Sequence, residues 1–328
     1  MTDSFAFLII TLIIILGFEA VNGWTDAPNA IATVVSTRVL SPTAAVGMAA
    51  VFNLLGALSG TAVATTIGKG IVDIHAVTLE TVAAAALAVI IWSSTAAYFG
   101  LPTSESHGLV AAIAGAGVAT AGTGVLLWEG WEKVFIGLGA AVVFGGLGGL
   151  LLMIVLLWLL RKATPTLTQR LFGPLQLCSA AFMAWSHGTA DGQKSMGVMA
   201  MALAIYYPER GFGVPLWVIL LSASTMGVAT AFGGWRIIKT LGMRLTQLQP
   251  VHGFAAETAA ALTITVSSRF GIPLSTTHTI GTAIMGVGAT RRLSAVRWGI
   301  AYNIIMAWVL TFPICFGLGW LLATLIPG

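Results

Sequence analysis

Residues 101–110 read LPTSESHGLV, and residues 272–281 read IPLSTTHTIG. In each stretch the proline follows a glycine and one apolar residue, and hydroxyl side chains and a histidine come next. Glycine typically ends a helix, proline begins one, and serine or threonine caps the first turn. Each stretch therefore predicts a broken helix, in which a second helix starts inside an apolar region.

The composition around these stretches is that of a membrane protein. Hydrophobic residues make up 57% of the 328 residues and charged residues 8%, whereas soluble domains carry about 25% charged residues. Roughly ten to twelve apolar segments fit into the chain if each crossing needs about 20 residues. We expect an all-α, polytopic membrane protein with broken or re-entrant helices, embedded in the lipid bilayer of a bacterial-type inner (plasma) membrane. The basic residues cluster in a few short loops, where such charges set the orientation of a chain in the membrane. We expect no contact with nucleic acid.

Several landmarks occur twice in the same order. The pairs are Asp26 and Asp191, Thr66 and Thr240, Glu80 and Glu257, and Pro102 and Pro273. The offset lies between 165 residues for the aspartates and 177 residues for the glutamates, about half of the chain. Secondary transporters are often built from two inverted repeats around a site at the middle of the membrane. We therefore predict one integral membrane domain with a first transmembrane repeat at residues 1–162 and a second at 163–328.

The two predicted helix starts have the chemistry of an anion site. A helix start presents unpaired N–H groups and about half a positive charge. Hydroxyl donors follow each proline, namely Ser104, Ser106, Ser275, Thr276 and Thr277. If the repeats are inverted, both starts meet near the centre of the membrane, where a tetrahedral oxyanion would accept hydrogen bonds from several directions. These five residues are the predicted substrate ligands.

Asp26 and Asp191 predict that cations accompany the anion. A charged residue in the middle of a membrane helix costs about 2.5–3.5 kcal/mol by insertion measurements. Carboxylates beside an anion are stable only if cations lie between them or if they are protonated. This predicts co-transport with Na⁺ or H⁺, and no cofactor beyond that coupling ion. Pro28, two residues after Asp26, also predicts a break in the first helix, because proline cannot donate a helix hydrogen bond.

Blocks of sequence in both halves resemble the inorganic phosphate transporter (PiT) family. They read NGWTDAPNAIATVVSTRVLSP, TTIGKGIVD, GLPTSESHGLVAAIAGAG, SHGTADGQKSMGVMA, GGWRIIKTLGMRLTQL and GFAAETAAALTITVSSRFGIPLSTTHTIGTAIMGVG. The resemblance implies a secondary active transporter that imports inorganic phosphate with Na⁺ or H⁺. It also implies that Asp26, Asn29 and Asp191 bind the cation, which is a metal site if the ion is sodium, and that Gln193 contacts the substrate.

Two positions depart from the family pattern and keep alternatives open. The family usually carries asparagine or histidine before the first aspartate and asparagine before the second, whereas this chain has Thr25 and Ala190. Alanine cannot coordinate a cation through its side chain, so Na⁺ and H⁺ both remain candidates. A permease for sulfate or another tetrahedral oxyanion is the alternative function. A divalent-metal transporter is a weaker one, because hydroxyl-rich helix starts favour anions.

Other polar residues in apolar segments have two interpretations each. Glu80 and Glu257 either join the cation path or hold a broken helix together by hydrogen bonds. Lys194, three residues after Asp191, either balances that aspartate or approaches the anion. The chain has neither the HExxH nor the GxSxG motif of hydrolases, which predicts that it is not an enzyme. A homodimer fits such a fold, although nothing in the spacing shows one.

Overall fold

The computed structural model describes residues 4–326, which form α-helices and no β-strand. The helices are α1 (Phe5–Ser36), α2 (Pro42–Ala57), α3 (Ala62–Gly70), α4 (Leu79–Phe99), α5 (Glu105–Ala121), α6 (Trp128–Leu159), α7 (Pro165–Tyr206), α8 (Leu216–Thr230), α9 (Trp235–Ile238), α10 (Pro250–Arg269), α11 (Thr276–Ala289) and α12 (Trp298–Leu325). Helix α9 continues into a π-helical turn at Lys239–Arg244. The predicted all-α fold class is confirmed.

Four helices, α1, α4, α6 and α12, are long and apolar enough to cross a membrane. The pairs α2 with α3 and α8 with α9 are bent by 69° and 64°, and the total is up to six spans if each pair counts as one. Helices α5 and α11 have 17 and 14 residues, fewer than the about 20 that a crossing needs. The count of full spans is therefore lower than the number of predicted segments, because several segments are half-helices.

Polar and apolar side chains are arranged as in a membrane protein. Large apolar residues on the outer helices are exposed, such as Phe144 on α6 (63%) and Val309 on α12 (58%). The charged residues Asp191 and Lys194 are instead buried, which soluble proteins allow only for paired charges. An apolar exterior of this kind suits lipid tails. The chain is a multi-pass integral membrane protein.

Two series of six helices follow the same order along the chain. Each series has a long helix with an aspartate (α1, α7), a bent pair, a helix with a glutamate (α4, α10), a half-helix (α5, α11) and a last long helix (α6, α12). The series are interleaved, since α5 packs on α12, α11 on α6, α2 on α7 and α8 on α1. The loop between α6 and α7 contains the predicted boundary after residue 162, and the division into two repeats stays a prediction.

The helix breaks before α5 and α11 lie at the two glycine–proline segments. Helix α4 ends at Phe99 and is followed by Gly100 with φ of 71°. Helix α10 ends at Arg269, and Gly271 takes φ of 65°. Only glycine adopts such positive φ values without steric cost. The structure therefore agrees with the two breaks that the local sequence predicts.

The predicted break at Pro28 is wrong, because α1 continues from Phe5 to Ser36 without interruption. A proline removes one N–H donor, the one that would bond to the carbonyl of Trp24 four residues earlier. Gly234 packs directly against this place, so closely that a Cβ there would lie 2.8 Å from the Pro28 ring and 3.1 Å from the Trp24 carbonyl oxygen. Tight packing against a neighbouring segment thus supports the helix through the proline.

The two broken segments are held by threonines of the opposite series. Thr66 Oγ1 on α3 donates a hydrogen bond to the Gly271 carbonyl at 2.7 Å, and Thr240 Oγ1 after α9 donates to the Gly100 carbonyl at 2.9 Å. Both threonines are buried. A buried carbonyl without a partner costs about 1–3 kcal/mol, so these bonds fix the loops that lead into α5 and α11.

We predict that Thr66→Val lowers the melting temperature of the detergent-purified protein, because it leaves the Gly271 carbonyl without a donor, at a cost of about 1–3 kcal/mol. Thr65→Val is the matched control, since the Thr65 hydroxyl bonds only to the Thr61 carbonyl, one turn earlier. Intrinsic tryptophan fluorescence during heating measures both variants. Equal melting temperatures for the two variants would contradict the holding role of Thr66.

Candidate functional site

The half-helices α5 and α11 begin beside each other. Ser104 and Ser275 are their N-caps, and each hydroxyl accepts a hydrogen bond from the N–H three residues further on, at 3.2 Å in both cases. Ser106 Oγ in the first turn of α5 donates to the carbonyl of Leu274, just before the cap of α11, at 2.9 Å. The positive ends of two helix dipoles and several hydroxyl groups therefore lie together.

The middle of α1 contacts the start of α11. Asn29 Nδ2 donates to Thr276 Oγ1 at 3.3 Å and to Thr277 Oγ1 at 2.9 Å. Thr277 Oγ1 in turn donates to Asp26 Oδ1 at 3.2 Å. All four residues are buried. The structure thus brings the predicted cation ligands of α1 next to two of the predicted substrate ligands.

The middle of α7 reaches the same helix start. Asp191 Oδ2 accepts a hydrogen bond from Thr276 Oγ1 at 3.1 Å and lies 3.1 Å from His187 Nε2. The other oxygen, Asp191 Oδ1, forms an ion pair with Lys194 Nζ at 2.9 Å. His187 and Lys194 lie four residues before and three after the aspartate, so all three share one face of α7. His187 Nδ1 also lies 3.0 Å from Asn53 Oδ1 of α2.

The two aspartates are close enough to affect each other's charge. Asp26, His187 and Asp191 each offer a ligand atom, and these atoms lie within 4.8 Å of one another. Two carboxylates at this distance in a buried site repel each other unless positive charge is present. Lys194 supplies that charge at Asp191, and the same ammonium group disfavours a divalent metal ion between the two aspartates.

Two oxygens on α1 are suited to a cation. Asp26 Oδ2 and Asn29 Oδ1 are buried, and no group within residues 4–326 donates a hydrogen bond to either of them. Hard cations prefer carboxylate and amide oxygens of this kind. This pair of oxygens therefore fits a small monovalent cation, or a proton on the carboxylate.

Glu105 is a third carboxylate at the site, and no role was predicted for it from the sequence. It is the first residue of α5, where the helix dipole stabilises negative charge. Its oxygens accept hydrogen bonds from Thr25 Oγ1 at 3.0 Å and Ser93 Oγ at 2.5 Å. Thr25, which departs from the family pattern, is thus a partner of this carboxylate.

Glu257 and Glu80 are not hydrogen-bonded to the two aspartates. Glu257 accepts hydrogen bonds from Thr33 Oγ1 at 2.5 Å, from Gln176 Nε2 at 3.1 Å and from the Ser179 hydroxyl. These contacts join α10 to α1 and α7, which fits the structural interpretation of Glu257. Both Glu80 oxygens are buried without a hydrogen-bond partner. A role of either glutamate in cation coupling stays a prediction.

Gln193 caps a different helix, α3. Its Oε1 accepts hydrogen bonds from the N–H groups of Val63 at 2.7 Å and Ala64 at 3.3 Å, and its Nε2 donates to the Thr189 carbonyl at 2.7 Å. The N-cap residue of α3, Thr61, makes no capping hydrogen bond with its side chain. The amide of Gln193 is therefore engaged in positioning α3, and its predicted contact with substrate stays a prediction.

His187 is a second residue of the site for which no role was predicted from the sequence. Its contacts with Asp191 and Asn53 connect α7 to α2. The available signal was its position four residues before Asp191, which places both side chains on one face of a helix. Its partner Asn53 lies on another helix, and no pattern in the sequence near His187 indicates this contact.

The chain also matches the model of a known protein family. The model of the phosphate transporter family matches residues 22–319, a range that contains every residue of the site. The chain belongs to the phosphate transporter family. The resemblance found in the sequence motifs is therefore confirmed, and this family member is a transporter and not an enzyme.

Two proteins similar to this chain come from bacteria. Both are described as "probable low-affinity inorganic phosphate transporter". The protein from Rhizobium meliloti is 44% identical over 317 residues, which cover 95% of this chain and 94% of the relative. The protein from Bacillus subtilis is 39% identical over 320 residues, which cover 95% and 96%.

A solved structure has the same fold. It is named "The sodium-dependent phosphate transporter" and superposes with a TM-score of 0.91, covering 98% of this chain and 99% of the other. The two sequences are only 22% identical. The likeness therefore shows the fold and leaves the coupling ion of this chain open.

We predict that Gln193→Met destabilises this transporter, because the start of α3 loses its acceptor at a cost of about 1 kcal/mol. The concentration of phosphate at half-maximal uptake should change by less than about twofold, a difference below 0.5 kcal/mol. Gln169→Met is the control, because Gln169 lies at an exposed position of α7, the helix that also carries Gln193. Weaker phosphate binding without loss of thermal stability would instead assign Gln193 to the substrate.

Proposed function

We propose that this chain imports inorganic phosphate by secondary active transport, in symport with Na⁺ or H⁺. The observation that carries the proposal is the pair of hydroxyl-capped helix starts, α5 and α11, that lie together beside two buried aspartates. Donors on one side and acids on the other suit an anion that travels with a cation. Phosphate, the coupling cation and the lipid bilayer are the partners of the proposed cycle.

The donors for phosphate come from both helix starts. Free N–H groups of the first turns and the hydroxyls of Ser104, Ser106, Ser275, Thr276 and Thr277 surround the junction. Each hydroxyl has one hydrogen to donate and can also accept. Hydrogen bonds to a charged acceptor are the strong ones, about twice as strong as neutral pairs. A tetrahedral anion uses these donors because its oxygens point toward both helices at once.

The cation and phosphate are coupled through the threonine hydroxyls. Thr277 donates its only hydroxyl hydrogen to Asp26 Oδ1, and that hydrogen cannot serve phosphate at the same time. A Na⁺ ion on Asp26 and Asn29, or a proton on Asp26, weakens the attraction of the carboxylate for the hydrogen. The hydroxyl then turns to phosphate, so that each ligand strengthens the binding of the other.

Coupling is also required by the membrane potential. Moving one elementary charge across 100 mV costs about 2.3 kcal/mol, so a divalent anion entering a negative interior costs about 4.6 kcal/mol. Cations that move with the anion offset this cost. Gly68-Lys69 is followed by Gly70 and not by the serine or threonine of a Walker A motif for ATP.

The acids favour phosphate over sulfate. Three buried carboxylates lie at the two helix starts: Glu105 is the first residue of α5, and Asp26 and Asp191 accept hydrogen bonds from the first turn of α11. Hydrogenphosphate carries a proton that it donates to an acceptor of this kind, whereas sulfate at neutral pH only accepts. A site built to accept a hydrogen bond rejects a ligand that cannot donate one.

Uptake into proteoliposomes tests the proposal. Radiolabelled phosphate should accumulate when an inward gradient of Na⁺ or of protons is imposed, and it should equilibrate without accumulating when neither is present. Sulfate in tenfold excess should leave phosphate uptake nearly unchanged. The proposal is wrong if neither gradient drives accumulation, and the sulfate alternative replaces it if sulfate abolishes phosphate uptake and is itself accumulated.

We predict that Thr277→Val raises the phosphate concentration at half-maximal uptake by about tenfold or more, because a lost hydrogen bond to a charged group is worth about 1.5–3 kcal/mol. Thr263→Val on α10 is the control, since the Thr263 hydroxyl bonds only to the Ala259 carbonyl, at 2.8 Å. Initial uptake rates across a phosphate series measure both. Identical curves for the two variants would remove Thr277 from the phosphate site.

A further inference from the structure

The two aspartate-bearing helices differ at equivalent positions. Helix α1 carries Asn29 three residues after Asp26, and helix α7 carries Lys194 three residues after Asp191. A spacing of three places each side chain on the same helix face as its aspartate. Asn29 bonds to the threonines of α11, and Lys194 bonds to its own aspartate. The same register thus holds a neutral amide in one half and a fixed positive charge in the other.

The aspartates differ accordingly in their surroundings. Thr277 donates a hydrogen bond to Asp26 Oδ1, and among the residues that the structure describes none donates a hydrogen bond to Oδ2. Asp191 faces Thr276, His187 and Lys194, at distances of 3.1, 3.1 and 2.9 Å. Among the described residues, no lysine or arginine forms an ion pair with Asp26, whereas Lys194 forms one with Asp191.

The Lys194–Asp191 pair is buried deeply. Lys194 is 1% exposed and Asp191 is 0% exposed. Among the residues that the structure describes, Asp191 is the one carboxylate within 4 Å of Lys194 Nζ. Breaking such a pair by removing one charge leaves the other uncompensated, at a cost of several kcal/mol. The ammonium group therefore stays with Asp191 whether or not substrate is bound.

We propose that the Lys194 ammonium group acts as a tethered cation. In the second half of the site it takes the place of a mobile coupling cation, which binds in the first half. The inference rests on the proposed symport. A mobile ion leaves with phosphate and contributes to the driving force, whereas the lysine remains in the protein. This chain consequently couples phosphate to one cation fewer than a site with an Asp–Asn pair in each half.

Substitution of Lys194 by asparagine tests the inference, because it gives both halves the same pair. The gradient is formed with whichever cation, Na⁺ or H⁺, drives phosphate accumulation by the wild-type protein. Equal potassium concentrations on both sides of the membrane, together with valinomycin, set the membrane voltage to zero. Under these conditions each coupled cation multiplies the equilibrium phosphate ratio by about ten for a tenfold cation gradient, since tenfold corresponds to about 1.4 kcal/mol. For a tenfold cation gradient, the equilibrium ratio of internal to external phosphate should therefore be about ten times higher for Lys194→Asn than for the wild type.

Three further variants make the comparison sharper. Lys194→Arg keeps the tethered charge and should keep the wild-type ratio. Lys162→Asn, at an exposed loop position, removes a lysine far from the pair and should also keep it. Lys194→Gln is a second neutral variant if the asparagine variant does not yield monodisperse protein.

Melting temperatures over a series of cation concentrations give the number of cation-binding steps without transport. We expect one more step in the neutral variants than in the wild type.

The outcomes separate this inference from the proposed function. Wild-type protein that accumulates no phosphate overturns the proposed function, and the inference with it. Wild-type accumulation together with an unchanged ratio in the neutral variants overturns the tethered-cation inference alone. A neutral variant that is inactive but shows the additional cation-binding step supports it, and an inactive variant without that step overturns it.

Discussion

Two carboxylates, Asp26 and Asp191, approach each other inside a protein whose exterior is apolar, and they need positive charge there. Ligand atoms of the two residues lie within 4.8 Å of each other, a distance at which like charges in a buried site are costly. The protein meets this need in two ways. A fixed ammonium group lies against Asp191, and in the proposed cycle a mobile cation binds the oxygens of Asp26 and Asn29. The remaining positive potential comes from the starts of α5 and α11.

The rest of the fold positions these helix starts. A helix that begins in the middle of a membrane exposes backbone groups that lipid cannot satisfy, so each must be paired within the protein. The serine caps pair some N–H groups, and the threonines of the bent pairs bind the carbonyls of Gly100 and Gly271. Because each threonine belongs to the opposite series of helices, the bent pair of one series holds the broken segment of the other. The proposed donors for an anion thus lie at helix termini that capping serines and neighbouring threonines hold in place.

Features set by local chemistry could be predicted from the sequence. The glycine–proline breaks, the serine caps and the two aspartates all follow from residues close together in the chain. Features set by distant partners could not. Helix α1 continues through Pro28 because Gly234 packs there, and Gln193 caps α3 because α7 passes its first turn. The hydrogen bonds of Glu257 come from α1 and α7, so its local sequence left two interpretations open.

The central claim is that the Asp26 carboxylate and phosphate compete for the same hydroxyl hydrogen, so that a cation on the carboxylate strengthens the binding of phosphate and phosphate strengthens the binding of the cation. Equilibrium binding of radiolabelled phosphate to the purified wild-type protein, repeated over a series of Na⁺ concentrations and a series of pH values, tests it most directly. The account predicts that the phosphate dissociation constant falls as the coupling cation increases, and that phosphate tightens cation binding by the same factor. A phosphate dissociation constant that is independent of both Na⁺ and pH, after correction for the ionisation of phosphate itself, would contradict the account.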